Sequence, residues 1–265
     1  MRKLIISLLS IVIVISSALH NAIADNPDQP LRVMTYNIHH GEGVDGQLDI
    51  ERIARVINNA EVDLVALQEV DKGVKRTNRI DIPKQLAKIT GMNAIFEKNI
   101  DYQGGEYGNA ILSRFKILHS TNLHYKMERE GEQRGLLQAK VKWMGRELII
   151  MSTHLDYRGD DSERMANVKE IKTVLSGYDA PAILCGDFND FPHSRVYSAL
   201  TNFLADVWAL AGKGNGYTFS SKEPRSRIDY IWVSKPKITI PIKTQVWPTQ
   251  ASDHSPFVAE FQWNK

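Results

Sequence analysis

This sequence predicts an α/β or α+β sandwich, and three observations carry the prediction. Short apolar runs of strand length recur along the chain. Helix-like segments separate some of these runs but not others, so there is no strict strand–helix–strand rhythm. No Pro/Gly/Ser-rich linker, internal repeat or charge block divides the chain. In order, the strand-like runs are residues 31–38, 62–68, 110–113, 135–141, 148–153, 182–187, 228–233 and 257–261. The first helix is read at residues 49–59, where Ile50, Ile53, Ala54 and Ile57 share one face and Asp49 is placed as the N-cap. Residues 82–90 and 162–175 give the second and third helices.

Composition narrows the class. The 265 residues are 43% hydrophobic and 24% charged, which excludes wholesale disorder. A single Cys excludes an intramolecular disulfide framework and any Cys-rich zinc module. That residue, Cys185, falls in an apolar run and reads as an inert core side chain. Trp143, Trp208, Trp247 and Trp263 are spread along the chain, so packing is the expected role of each.

The N-terminus reads as a targeting segment. Arg2 and Lys3 precede a 16-residue apolar run at residues 4–19, interrupted by Ser7, Ser10, Ser16 and Ser17. A bilayer-spanning helix needs roughly 20 apolar residues. Ala22-Ile23-Ala24 then supplies the small-x-small pattern of a signal-peptidase site. The expectation is a signal peptide at residues 1–24, cleaved after Ala24, rather than an uncleaved membrane anchor. A polar spacer at 25–30 and one catalytic domain at 31–265 complete the organisation. Export to the periplasm or the extracellular space follows from this reading. Removing Arg2 and Lys3 leaves 31 basic against 31 acidic residues, so the mature body is neutral. It lacks the bulk positive charge of a protein held on nucleic acid by phosphate contacts, while a local basic groove stays open.

The informative pattern is where polar residues fall. Asn37, Glu69, His154, Asp187 with Asn189, and Asp253 with His254 each follow an apolar run or close a loop before one. Buried strands that end in carboxylates, amides and imidazoles gather those groups on one rim, where ligand sites form. Glu69, Asp187 and Asp253 are hard oxygen donors, and Asn37 and Asn189 add neutral oxygens. Such a set suits Mg²⁺, Mn²⁺ or Ca²⁺ rather than Zn²⁺. His154 and His254 suit phosphate contact or proton transfer. No Walker-type loop, His-Glu-x-x-His or Gly-x-Ser-x-Gly occurs, which leaves metal-assisted hydrolysis with water as nucleophile.

Seven motifs occur in order: Thr35-Tyr36-Asn37, Leu67-Gln68-Glu69-Val70, Gly108-Asn109-Ala110-Ile111-Leu112-Ser113, Ser152-Thr153-His154-Leu155, Gly186-Asp187-Phe188-Asn189, Arg227-Ile228-Asp229-Tyr230-Ile231 and Ser252-Asp253-His254. Together they resemble the endonuclease/exonuclease/phosphatase superfamily, which includes pancreatic-type deoxyribonuclease, abasic-site endonucleases, inositol-phosphate 5-phosphatases and bacterial sphingomyelinases. The resemblance covers residues 31–261. It implies a four-layer sandwich, two packed mixed sheets flanked by helices on both outer faces. It implies Glu69 as principal metal ligand with Asn37 beside it and Asp253 as a further carboxylate, with Mg²⁺ or Mn²⁺ as the ion and Ca²⁺ a further candidate. It makes Asp187 and Asn189 the pair that orients water, His254 the general acid/base, Asp229 its orienting carboxylate and His154 a phosphate-binding imidazole. It puts Asn189 and Arg134 in contact with the phosphate, and Arg76, Arg79 and Asn109 are read as further phosphate contacts.

One departure bears on substrate. Asp71 stands where some nuclease relatives carry a basic residue, two positions after the metal Glu. Arg76 and Arg79 follow in a loop that reads either as solvated or as anion-binding. Tyr102 and Tyr107 are candidates for stacking on substrate or for packing. His39-His40 admits a second metal. The expected enzyme is a phosphodiesterase acting on a lipid or other small phosphodiester, in part because residues 76–81 and 105–113 resemble exported relatives of GPI-anchor lipid-remodelling domains. The alternatives are a secreted nuclease, with Lys222, Arg225 and Arg227 helping to line a groove, and a non-catalytic binding module. No stable protein partner is implied, a monomer is expected, and contact with a membrane surface would be transient.

Overall fold

The computed structural model describes residues 30–235 and 239–264; the targeting segment and nearly all of the spacer lie outside these residues. The first sheet contains β1 (Leu31–Asn37), β2 (Leu64–Lys72), β3 (Asn93–Tyr102), β4 (Gly105–Ser113), β11 (Thr239–Val246) and β12 (Phe257–Trp263), in the order β11-β12-β1-β2-β4-β3. The second contains β5 (His119–His124), β6 (Gly135–Trp143), β7 (Arg146–His154), β8 (Ala182–Asp187), β9 (Ala205–Asp206) and β10 (Asp229–Val233), in the order β5-β6-β7-β8-β10-β9. Both sheets are mixed: β1–β2 and β7–β8 are parallel and the other pairs antiparallel.

Side-chain alternation along the strands builds three cores. Val33, Leu64, Ala66 and Ile111 point inward and meet Leu137, Ile150, Ile183 and Ile231 of the second sheet. Met34, Tyr36, Val65 and Leu67 point outward and are covered by Ile53 and Ile57 of α1 (Ile50–Asn59) and Leu86 of α2 (Ile82–Thr90). On the far face, Leu136, Met151, Leu184 and Trp232 are covered by Val168 and Ile171 of α3 (Ser162–Ser176) and by Val196 and Leu200 of α4 (Arg195–Thr201). The result is the expected four layers. A short α5 (Val207–Ala211) adds Val207 to the core between the sheets. Cys185 is buried there too, as expected.

The Asp49 side chain accepts the Arg52 N–H at 2.8 Å, which fixes the start of α1 where the sequence placed it. Asp81 caps α2 by accepting from Lys84, and Gly91 ends it at φ +70°. Trp143 and Trp263 stack with ring centroids 4.8 Å apart, a packing role. Among the described residues no helix is long and apolar enough to cross a membrane.

The four strands the sequence reading did not find are β3, β5, β9 and β11, the four sheet edges. Central strands are buried on both faces and read as apolar runs. β5 alternates exposed and half-buried positions, so His119–His124 carries no such run.

Candidate active site

Strand register brings the polar residues to one rim. Asn37 ends β1 opposite Gln68 of β2, and His154 ends β7 opposite Asp187, the last residue of β8. Asp229 opens β10 paired with Asp187 across an antiparallel ladder. Glu69 differs from expectation, because β2 does not stop before it. The register shifts between Leu67 and Val70, and Glu69 takes φ +56° within this bulge. A bulge re-aims one side chain without ending the strand. Just below the rim, Gln68 Nε2 donates to Ser152 Oγ (3.0 Å) and Ser152 Oγ donates to the Leu67 carbonyl (3.1 Å), tying the sheets together. Ser252 Oγ donates to the Asn37 carbonyl at 2.8 Å and anchors the segment that carries Asp253 and His254.

The centre of the site is a buried chain of ionisable groups. His254 Nδ1 donates to Asp229 Oδ2 at 2.8 Å. Its Nε2 lies 3.6 Å from Asp187 Oδ2, and His154 Nε2 approaches the same oxygen at 3.6 Å. Asp187 Oδ1 accepts the Asn189 N–H (2.9 Å) and Oδ2 accepts from Asn37 Nδ2 (3.1 Å). Burial, then the Asp229 carboxylate, pushes Asp187 up to about 7. Burial works against charge on His254, but Asp229, by charge and hydrogen bond, prevails with help from Asp187 and holds the ring at about 10. His154 is held well below its ordinary range by burial, then Arg134, then His254. Arg134 Nη1 lies 2.8 Å from His154 Nδ1. A guanidinium only donates, so Nδ1 accepts from Arg134, while Nε2 lies 3.0 Å from the Asn189 side-chain amide nitrogen as well as facing Asp187.

Oxygen donors stand beside this chain. Glu69 Oε1 accepts from Asn37 Nδ2 at 2.9 Å, while Asn37 Oδ1 accepts the His39 N–H at 3.1 Å. Asp253 lines the same pocket as Glu69, and its side chain is 38% exposed. Two groups among the described residues bring ligand atoms within 4.8 Å of one another, Asp187/Asp229/His254 and His39/His40/Glu69. The first is a buried metal-site candidate, although an ion there competes with the 2.8 Å His254–Asp229 hydrogen bond. Carboxylates concentrated at one rim fit a hard divalent cation, which would relieve their mutual repulsion.

The pocket over these groups holds about 410 Å³ and is lined by Glu69, Asp187, Asn189, His154, Asp253, His254, Arg76 and Arg134, with Tyr102, Tyr107, Tyr157 and Phe219. A wider depression of about 870 Å³ adjoins it, sharing Tyr157, Asn189, Phe219 and Ile228. Asp71 is fully buried and clasps Arg76 through Nε (2.8 Å) and Nη2 (2.9 Å). The Arg76 guanidinium lies 4.8 Å from the Tyr102 ring and 5.5 Å from that of Tyr107. The acid that departs from the nuclease pattern therefore holds a cation at the pocket wall, and the two tyrosines hold that cation.

Other expected contacts are not brought to the pocket. Arg79 Nη1 is spent on the Gly73 and Gly104 carbonyls, and Asn109 Nδ2 on the Gly135 carbonyl. Arg227 is buried against Asp206 at 2.8 Å, whereas Arg225 is exposed and paired with Glu223. Sequence reasoning missed Glu132, which approaches Arg134 Nη1 at 2.8 Å, and Phe219, whose ring centroid is 4.8 Å from that of His254. Both come from loops without a periodic signal.

The model of the Endonuclease/Exonuclease/phosphatase family matches residues 34–254. The chain belongs to this family. It is similar to YbhP of Escherichia coli K12, at 25% identity over 254 residues, covering 88% of this chain and 98% of YbhP. It is also similar to nocturnin of Rattus norvegicus, at 28% identity over 289 residues, covering 89% of this chain and 66% of nocturnin. The structure of an endonuclease/exonuclease/phosphatase from Beutenbergia cavernae superposes with a TM-score of 0.74 at 24% identity, covering 89% of this chain and 72% of that one. At that identity the likeness shows the fold.

Proposed function

We propose that the protein is an exported, divalent-metal-dependent phosphodiesterase that uses water as nucleophile and acts on a lipid headgroup or another small phosphodiester. One observation carries the reading: Asp187 lies between two imidazoles, His254 backed by Asp229 and His154 backed by Arg134, in a pocket that also presents Glu69 and Asp253. The family membership supports a phosphoester bond as the target. When bound, the ion, Mg²⁺ or Mn²⁺ at Glu69, Asn37 and Asp253, offsets the negative charge that builds on the phosphoryl oxygens.

The chain's own groups supply the rest. Asp187 and Asn189 orient the attacking water. His154 and Arg134 contact the phosphoryl oxygens. His254 holds one proton at Nδ1 against Asp229 and presents Nε2 to the reacting centre as acid/base. A compact pocket walled by Arg76 and tyrosines favours a small phosphodiester over a duplex, and the buried Arg227 and tethered Arg79 weigh against a long basic groove. The lipid form of the reading agrees with export, whose own check is intact mass: a protein retaining Met1 after export contradicts cleavage after Ala24.

The test is hydrolysis of bis-p-nitrophenyl phosphate, sphingomyelin, phosphatidylinositol, plasmid DNA and RNA, with and without Mg²⁺ or Mn²⁺. Turnover of a small diester or lipid with plasmid and RNA intact supports the proposal. Metal-dependent loss of plasmid makes the protein a nuclease instead.

A further inference from the structure

We propose that His39, His40 and Glu69 form a mixed nitrogen–oxygen site for a first-row divalent metal ion such as Mn²⁺. The inference rests on Glu69 being the metal carboxylate of the reading above; it adds two imidazole ligands that reading does not use. One ring nitrogen of each histidine and a Glu69 oxygen lie within 4.8 Å of one another, a span a single ion can close. The two rings meet edge to face, with centroids 4.4 Å apart. Two imidazoles and one carboxylate are a donor set that first-row transition ions take readily and that Mg²⁺, which favours oxygen and water, does not.

The surroundings of the rings point the same way. A metal-ligating imidazole ordinarily gives its other nitrogen to a carbonyl or carboxylate, which fixes the ring and leaves the ligating lone pair free. Glu42 bonds one ring here and faces the other. Its carbonyl is 3.3 Å from His39 Nδ1, so that nitrogen donates and Nε2 is left free. Its carboxylate is 3.6 Å from His40 Nε2, and His40 Nδ1 is buried with no hydrogen-bond partner. His40 is only 7% exposed, so an unpartnered ring nitrogen there is costly unless something binds it.

Pulsed EPR of Mn²⁺ added to the purified protein reads the ligands directly. The expected spectrum shows ¹⁴N modulation from coordinated imidazole. That modulation should be lost or halved in His39→Asn and in His40→Asn, and retained in His254→Ala, which controls for an ion at the Asp187/Asp229/His254 group. Asn is chosen because both histidines have positive φ (44° and 46°), a conformation Asn tolerates. Thermal melts establish that each variant folds. His39, which is part-exposed, is the safer substitution if His40→Asn does not fold. Mn²⁺ bound with no ¹⁴N coupling, or coupling lost only in His254→Ala, overturns the inference; the first outcome leaves an oxygen-only metal site and the proposed hydrolysis standing. No Mn²⁺ bound at all overturns both.

Discussion

The two sheets have the same succession of strand directions, two antiparallel pairings, one parallel, then two antiparallel, yet they end in different chemistry. The parallel pair of the first sheet, β1–β2, delivers an amide and a half-buried carboxylate, Asn37 and Glu69. The parallel pair of the second, β7–β8, delivers His154 and Asp187, both buried and both with shifted proton affinity. The difference arises from burial. Asp187 sits deep between charged neighbours and is pushed towards protonation, whereas the bulge at Glu69 turns that carboxylate to the pocket. On the proposed reading the first sheet end holds the cation and the second holds the protons. His254 joins them: it belongs to the loop before β12 of the first sheet, yet its ring is bonded to Asp229 of the second.

The largest expected effect breaks the second sheet's half. His254→Ala and Asp187→Ala should each lower kcat by ~10²–10⁴-fold, as loss of an acid/base group does, with the fold retained by circular dichroism. Near-normal turnover by His254→Ala would overturn its role. Breaking the first sheet's half should leave a different signature. Mg²⁺ or Mn²⁺ should raise Tm of the wild type and of His254→Ala but not of Glu69→Gln, and equal shifts in all three would place the ion elsewhere. Smaller again is the pocket wall. Arg134→Gln should lower kcat/KM by roughly 10- to 100-fold, the scale of a charge-assisted hydrogen bond of about 1.5–3 kcal/mol.

The smallest effect is on stability against pH in the metal-free protein. His254 is raised from 6.5 to about 10, so its stabilisation is full below about pH 6.5 and is lost as pH rises towards 10. Asp187, raised from 3.8 to about 7, acts in the same direction at lower pH. His154, lowered, acts oppositely: its contribution is present above its unfolded value of 6.5 and is lost as pH falls. Above about pH 8 Asp187 has lost its proton and only His254 still titrates, towards 10. The urea midpoint should therefore fall across that window, and His254→Ala should flatten the fall.

Much of this was legible in the sequence because of burial. Central strands covered on both faces must be apolar throughout, and the polar residue that ends such a run stands out. Asn37, His154 and Asp187 were found this way, and Asp49 by its capping position. Edge strands face solvent on one side, so β3, β5, β9 and β11 leave no such trace. Pocket walls are set by loop geometry instead. Nothing in the spacing of Asp71 and Arg76 announces a two-point clasp, and nothing in Gly108-Asn109 shows that the amide turns to the Gly135 carbonyl rather than to the pocket.

The most direct test of the central claim is hydrolysis of bis-p-nitrophenyl phosphate by the wild-type protein, with Mn²⁺, with Mg²⁺ and with chelator, beside His254→Ala and Glu69→Gln. Turnover should require the ion and collapse in both variants, while His254→Ala keeps its metal-induced rise in Tm. Turnover that survives chelation, or that His254→Ala retains in full, would contradict that claim.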